Sequence, residues 1–444
     1  ALGVISGGPG TGKTTTVAKL LVMLVAAAAA EGRSLAIRLA APTGKAAARV
    51  GEALAREVAA LARSGQVAPQ LLAQLPISAQ TLHRLLGAGA RGLRHDAANP
   101  LAADVVVLDE SSMVDLRLLD ALLAALPRHA RLLLLGDRDQ LAAVEAGNVF
   151  GALCSRARGP SAPRAAELTA LTGLQIAGND HDDPIADAIA VLRHSYRFDA
   201  ASGIGRFAEA VNAGDATRAA AVIAQRPADL GSFSCTDRPD GAALARMREG
   251  WRAIASAAHG HADPLALVRL QESFRVLCAL REGEWGVAGV NRALTQTLAE
   301  AGLAERGRTH YAGRPLLVTR NDYGLGLYNG DTGIVIEDED GHPQALFAQA
   351  GGGVKRLPAA RLPEHETAYA LTVHKSQGSE FDEVVLVLPP APAPASGAGI
   401  AGRELLYTAI TRARRRLELV LPGGALDARW LDASEYRSGL AERL

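Results

Sequence analysis

The 444 residues predict an α/β protein of two parallel-sheet domains in tandem, with a small β insertion in the second. Three observations carry that expectation. Short apolar runs, each feeding a polar or glycine-bearing loop, alternate with helical stretches through both halves, as strands covered on both faces by helices do. The length gives enough chain for two to four hydrophobic cores. Between about Gly330 and Pro363 the texture changes to short β-like pieces broken by turns such as Asn329-Gly330-Asp331 and Gly341-His342-Pro343.

The first domain is expected over residues 1–184. It opens with a strand, Leu2–Ser6, then a glycine-rich loop, Gly7–Thr14, then a helix through about Ala30. Leu35–Ala40, Val105–Leu108 and Leu132–Leu135 continue the sheet. Ser155–Asp183 is rich in Pro, Arg and other polar residues and reads as a linker-like insertion. The second domain is expected over 185–444, with strands at Phe274–Leu280, Leu316–Thr319, Val384–Leu388 and Leu417–Leu421. Pro389–Gly399 is low-complexity and reads as an exposed loop. No repeat of solenoid length is visible.

Composition narrows the class. Lys+Arg and Asp+Glu are both 47, so bulk neutralisation of nucleic acid is excluded, although a local basic groove is not. Cys154, Cys235 and Cys278 are scattered and odd in number, which leaves neither a disulfide framework nor a Cys-x-x-Cys metal site. The longest lysine-free apolar run, Leu20–Ala30, is too short to span a bilayer, and a cytoplasmic protein with no membrane partner is expected. Only five of the basic residues are lysines: Lys13, Lys19, Lys45, Lys355 and Lys375. Where arginine is used so freely, a retained lysine inside a motif marks a place for a compact ammonium.

Gly7-Gly8-Pro9-Gly10-Thr11-Gly12-Lys13-Thr14 fits G-x-x-x-x-G-K-[ST] in the strand–loop–helix setting that this motif needs. Glycines let backbone N–H groups converge on phosphate oxygens, and the helix N-terminus adds positive potential. Lys13 would reach the β- and γ-phosphates, and the Thr14 hydroxyl would bind Mg²⁺. About 95 residues on, the apolar strand Val105–Leu108 ends in Asp109-Glu110. Asp109 is expected to hold the Mg²⁺ shell and Glu110 to orient and deprotonate the attacking water. Leu132–Leu135 opens likewise into Gly136-Asp137-Arg138-Asp139-Gln140-Leu141, where Gln140 can bond a γ-phosphate or its water.

These motifs, with Ala41-Pro42-Thr43-Gly44-Lys45, Thr81-Leu82-His83-Arg84 and Asp109-Glu110-Ser111-Ser112-Met113-Val114-Asp115, resemble the ordered motifs of superfamily 1 helicases. His194-Ser195-Tyr196-Arg197-Phe198, Thr372-Val373-His374-Lys375-Ser376-Gln377-Gly378-Ser379-Glu380-Phe381 and Tyr407-Thr408-Ala409-Ile410-Thr411-Arg412-Ala413 continue the series. Gly203-Ile204-Gly205, Cys278–Gly283 and Arg320–Asp331 resemble the RecD family in particular, the alpha subunits of RecBCD enzymes (exodeoxyribonuclease V).

The resemblance implies two RecA-like motor domains, an SH3-like character for the insertion at about 330–363, and ATP with Mg²⁺ as cofactors. It implies a nucleotide site of Gly7, Gly8, Pro9, Gly10, Thr11, Gly12, Lys13, Thr14, Thr15, Asp109, Gln140, Arg197, Gly378, Glu380 and Arg412. Arg197 and Arg412 resemble the two arginines that the second domain offers to the γ-phosphate. Beside Arg414–Arg416, Arg412 could instead belong to a solvated helix face. Pro42, Thr43, Lys45, Thr81 and His83 would line a single-stranded DNA path on the first domain, and Thr372, His374 and Lys375 on the second. His83 and His374 could also be surface or capping histidines. His259 and His261 lack metal-ligand partners and read as loop residues. Phe150, Tyr196, Phe381 and Tyr407 lie in or near motifs, with core packing the expected role for most of them.

The implied function is a 5′→3′ ATP-dependent DNA helicase or translocase working on single-stranded DNA and DNA ends, beside RecB and RecC subunits, in a double-strand-break repair and recombination complex of bacteria. The alternatives are a stand-alone RecD-like helicase and a weakly hydrolysing DNA-binding scaffold subunit. The family's upstream partner-docking domain and adenine-contact segment are expected to be missing from these residues. Gly87–Pro100, with Arg91, Arg94 and His95 at its tip, is the candidate wedge hairpin. The positions two before each lysine (Thr11, Val17, Thr43, Gly353 and Val373) carry no acid, so the common metal-dependent nuclease core is absent.

Overall fold

A computed structural model describes residues 1–89, 92–142, 148–198, 201–260, 262–322, 324–349, 352–390 and 402–433. The chain divides into two units, Ala1–Arg197 and Phe198–Ser434. The first is built on six strands: β1 (Leu2–Gly7), β2 (Ile37–Ala41), β3 (Gln80–Thr81), β4 (Val105–Leu108), β5 (Arg131–Gly136) and β6 (Ile189–Leu192). All pair in parallel, in the order β3-β2-β4-β5-β1-β6.

The period of two explains why these strands read as unbroken apolar runs. Val4, Val106, Leu108, Leu132 and Leu134 point to one face, into a core with Leu119, Leu122 and Phe150. Ile5, Val105, Val107, Leu133 and Leu135 point to the other, against Val17, Leu21, Val25 and Leu54 of helices α1 (Lys13–Ala30) and α2 (Gly44–Ser64). Among the described residues α1 is the one helix long and apolar enough to cross a membrane; here Val17, Ala18, Leu21, Val25 and Ala28 are buried in the fold.

Two expectations about this unit are corrected. The boundary expected at 184/185 falls inside it, because Val4–Gly7 of β1 pair with Ile189–Leu192 of β6 and the unit runs on to Arg197. The segment read as linker-like contains a helix, Ala162–Thr172, capped by the Ser161 hydroxyl. It is tied down by the Arg156–Asp183 ion pair at 2.7 Å and by Ser161 donating to Asp187. Polar residues here bond to one another, so composition alone misreads them.

The second unit has a five-stranded parallel sheet and a five-stranded antiparallel one. In chain order the strands are β7 (Leu230–Cys235), β8 (Phe274–Cys278), β9 (Pro315–Val318), β10 (Thr332–Glu337), β11 (Pro343–Ala348), β12 (Val354–Pro358), β13 (His365–Thr367), β14 (Ala370–Thr372), β15 (Phe381–Val387) and β16 (Ala413–Pro422). The parallel sheet runs β14-β8-β15-β16-β7. The antiparallel sheet, β12-β11-β10-β9-β13, closes over Leu316, Val318, Val335, Ala345 and Phe347. The insertion is therefore larger than expected, and Leu316–Thr319 belongs to it, since β9 pairs with β10 and β13. Asn291 braces the return to the parallel sheet: its amide donates to Thr367 O and accepts from Ala370 N, both at 2.8 Å.

The core of the second unit holds a buried cation. Arg275 on β8 is 1% exposed, with its guanidinium 5.0 Å from the Trp251 ring and 5.1 Å from the Phe381 ring. It donates to Ala368 O at 2.8 Å and Gln271 O at 3.3 Å, and burial lowers its pKa to about 10. Arg275→Ala would leave both carbonyls unpaired and the two rings without their filler. We expect a loss of about 3 kcal/mol in urea unfolding followed by tryptophan fluorescence.

Candidate nucleotide site

Because β1, β4 and β5 are parallel neighbours, their C-terminal ends emerge together: Ser6 is paired with Gly136, and Leu108 with Leu134. The loop after β1 is Gly7–Gly12, the residues after β4 are Asp109-Glu110, and the residue after β5 is Asp137. The expected P-loop, acidic pair and Gln140 segment are thus brought to one edge of one sheet.

In the loop, Gly10 and Gly12 take φ of 75° and 83°. At Gly10 the neighbour is as restrictive as the dihedral: a Cβ there would lie 2.4 Å from the Arg197 Cβ. The Thr11 hydroxyl donates to Gly8 O at 2.8 Å. The Lys13 ammonium donates to Gly7 O at 2.5 Å and to Gly8 O at 3.2 Å, so it is held over the loop it must serve. Thr14 and Thr15 follow in the first turn of α1.

Asp109 accepts the Glu110 N–H at 2.9 Å, and Asp109 N bonds Ala40 O on β2. Burial, and then the negative charge of Glu110, push the Asp109 carboxyl up to about 6 against the pull of Lys13. Glu110 has φ 51° and ψ 39°, a left-handed conformation that is costly for a residue with a Cβ. The turn Ser111–Met113 over-determines it, with Met113 N bonding Glu110 O at 3.0 Å. Gln140 is 7% exposed, and its amide donates to Asp137 at 3.0 Å. Asp137 itself is 2% exposed and is also raised to about 6 by burial, with Lys13 again opposing. Sequence reasoning passed over Asp137; its position directly after an apolar strand neighbouring the P-loop strand was the available signal.

Arg197 lies in the first unit, although it was expected from the second. Ser195 donates its hydroxyl to Pro9 O at 3.0 Å and Tyr196 N bonds Gly10 O at 2.8 Å, which seats Arg197 against the P-loop. Tyr196 is 80% exposed, whereas Phe150, Phe381 and Tyr407 are buried in cores as expected. His194 meets the Tyr196 ring edge-on at 4.6 Å between centroids.

Thr43 and Thr81 serve as helix N-caps, accepting from Ala46 N and Arg84 N, both at 3.2 Å. Since Ala41 pairs with Thr81, the Pro42–Lys45 and Thr81–His83 segments leave the sheet side by side, with His83 exposed. The candidate wedge shows a single bridge, Gly89 to Gly92, followed by turns in which Arg94 N and His95 N both bond Leu86 O. No strand forms among its described residues, since three glycines leave few side chains to pair across; Arg91 lies outside the described residues.

In the second unit, the Thr372 hydroxyl accepts Lys375 N at 3.3 Å, His374 is exposed, and the Lys375 ammonium donates to the Asn329 side chain at 2.7 Å. Arg412 is 2% exposed and donates to Thr408 O and Ser379 O, each at 3.0 Å. Arg414–Arg416 lie on β16, not on a helix face. Gly378 has φ 68°, and Glu380 pairs with Arg414 at 3.3 Å. The His259 ring bonds Ala255 O at 2.8 Å at a helix end; His261 and residues 391–399 of the low-complexity loop lie outside the described residues.

Residues 1–146 match the family described as an AAA domain, and residues 367–420 that described as a UvrD-like helicase C-terminal domain. The chain is 41% identical to the RecBCD enzyme subunit RecD of Mycobacterium tuberculosis, an alignment covering 99% of this chain and 70% of that one. It is 36% identical to the Haemophilus influenzae subunit of the same name, over 93% of this chain and 66% of the relative. It is 33% identical to the ATP-dependent RecD2 DNA helicase of Deinococcus radiodurans, over 93% of this chain and 46% of that relative.

The Asp137 carboxyl makes stability depend on pH. With its folded-state pKa raised to about 6, its contribution is whole below the unfolded value of about 3.9 and is lost as pH climbs through about 6. From pH 4 to pH 8 the parent should therefore lose stability relative to Asp137→Asn, by roughly 3 kcal/mol, in thermal unfolding.

Proposed function

Since this chain belongs to the RecD family of superfamily 1 helicases, we propose that it is the ATP-dependent DNA helicase motor of a RecBCD-type complex that processes DNA ends in the bacterial cytoplasm. RecB and RecC subunits are its proposed partners, and movement is 5′→3′ on single-stranded DNA. The observation that carries the reading is the convergence of Lys13, Asp109, Glu110 and Gln140 at one sheet edge.

Lys13 exchanges the Gly7 and Gly8 carbonyls for β- and γ-phosphate oxygens when ATP enters, and the loop N–H groups and the N-terminus of α1 take the remaining charge. Tyr196, exposed beside the P-loop in the same unit, offers a flat apolar face to a nucleotide base. Glu110 accepts the proton of the attacking water, and its fixed backbone aims the carboxylate. Thr14 and Asp109 are the residues that would hold Mg²⁺, which neutralises phosphate charge when bound. They fit a cation, because burial and Glu110 leave Asp109 short of positive charge. Arg197 supplies charge beside the loop, and Arg412 does so when it releases Thr408 O and Ser379 O. Gly378 and Glu380 complete the proposed set.

Pro42, Thr43, Lys45, Thr81 and His83, with Thr372, His374 and Lys375, are proposed to track DNA phosphates without reading bases. The similarity to the RecD2 DNA helicase favours one second reading, a helicase that needs no partners; strand displacement by the full-length chain with and without RecB and RecC separates the two.

Lys13→Ala should abolish DNA-stimulated ATP turnover, whereas Glu110→Gln should still bind a fluorescent ATP analogue while losing most turnover. Parental turnover in Glu110→Gln would refute the base assignment. Lys45→Ala and Lys375→Ala should each weaken single-strand binding equally across sequences and reduce its salt dependence by about one ion per lost contact. A sequence-selective loss would refute the phosphate track.

A further inference from the structure

We propose that Asp137 is a positioning residue of the hydrolytic site, holding the side-chain amide of Gln140 in the one orientation from which it serves the γ-phosphate and its water. The inference rests on the hydrolysis reading above and assigns a role to a residue which that reading leaves unused.

Its place follows from the sheet order. β5 lies between β4 and β1, so the residue after β5 stands between the Asp109 strand and the P-loop strand. At 2% exposure its carboxylate is shielded from bulk water, and its bonds to the protein fix its direction. One oxygen accepts Asp139 N at 3.1 Å and the other accepts the Gln140 amide nitrogen at 3.0 Å, while Gln140 N bonds Asp137 O at 3.3 Å. Main chain and side chain of Gln140 are thus both referenced to Asp137. A carboxylate only accepts, so the Gln140 amide must turn its nitrogen inward; the flipped amide would set two acceptors face to face. That leaves the Gln140 carbonyl oxygen and one N–H hydrogen for nucleotide and water. Glutamine has three rotatable side-chain bonds, and without Asp137 the amide would sample orientations that present neither group.

The test is a double-mutant cycle in the full-length chain, read by DNA-stimulated ATPase: Asp137→Ala, Gln140→Ala and the pair, with Asp137→Asn as the conservative variant and Lys13→Ala as the control. Asp137→Ala should lower kcat about tenfold with the KM for ATP changed less than about twofold, and the pair should be no slower than Gln140→Ala alone. Asp137→Asn keeps one acceptor oxygen but adds an NH2 that can pair with the flipped Gln140 amide, so it should recover only part of the lost kcat. Losses that multiply in the pair, or a loss confined to KM, would overturn the proposal, because a structural or purely electrostatic role acts independently of Gln140. Should Asp137→Ala fail to fold, the same cycle with Asp137→Asn in its place decides: a pair no slower than Gln140→Ala alone supports the proposal, and losses that multiply overturn it. A parent without turnover that Lys13→Ala removes would refute the hydrolysis reading itself, and the Asp137 role with it.

Discussion

One ammonium group organises the edge of the first sheet. Lys13 is the cation whose charge opposes the rise at both Asp109 and Asp137, two carboxyls that burial pushes up to about 6. Two acids that close to a single base form a site short of positive charge, and the base leans on carbonyls of its own loop. Triphosphate alone would add negative charge to such a site. The parallel sheet makes the crowding unavoidable, because adjacent parallel strands deliver their loops to the same edge.

Where residue identity and backbone conformation are bound together, the sequence was easy to read. The glycines of Gly7–Gly12 allow positive φ, and apolar runs such as Val105–Leu108 have no alternative to a doubly covered strand. β6 was missed because it is a four-residue edge strand, only partly buried, whose identity comes from pairing with β1 rather than from its composition. The insertion was underestimated for a similar reason: β9 is as apolar as a core strand of the parallel sheet, and only its antiparallel partners reveal where it belongs. At the site, motif chemistry singled out Lys13, Asp109, Glu110 and Gln140, which the sheet brings to one edge. The unit that holds Arg197 could not, since a short arginine motif says nothing about which side of a boundary it packs on.

The arginine-rich composition has a structural counterpart inside the second unit. Arg275 and Arg412 are both buried and both donate to backbone carbonyls, yet Arg275 is additionally stacked between two aromatic rings. Arginine tolerates such places because its charge is spread over a flat group that can satisfy several acceptors at once. A lysine would present three diverging donors on a flexible stem. Sequence spacing alone does not separate these two buried arginines; the aromatic rings around Arg275 do.

The strand β6 ends against the P-loop strand, and within six residues the chain has passed from the first unit to the second, bonded on the way to the carbonyls of Pro9 and Gly10. The last residues of the first unit are thereby anchored on the phosphate loop itself. A loop that shifts when its phosphate arrives or leaves must carry Ser195 and Tyr196 with it or break these two bonds.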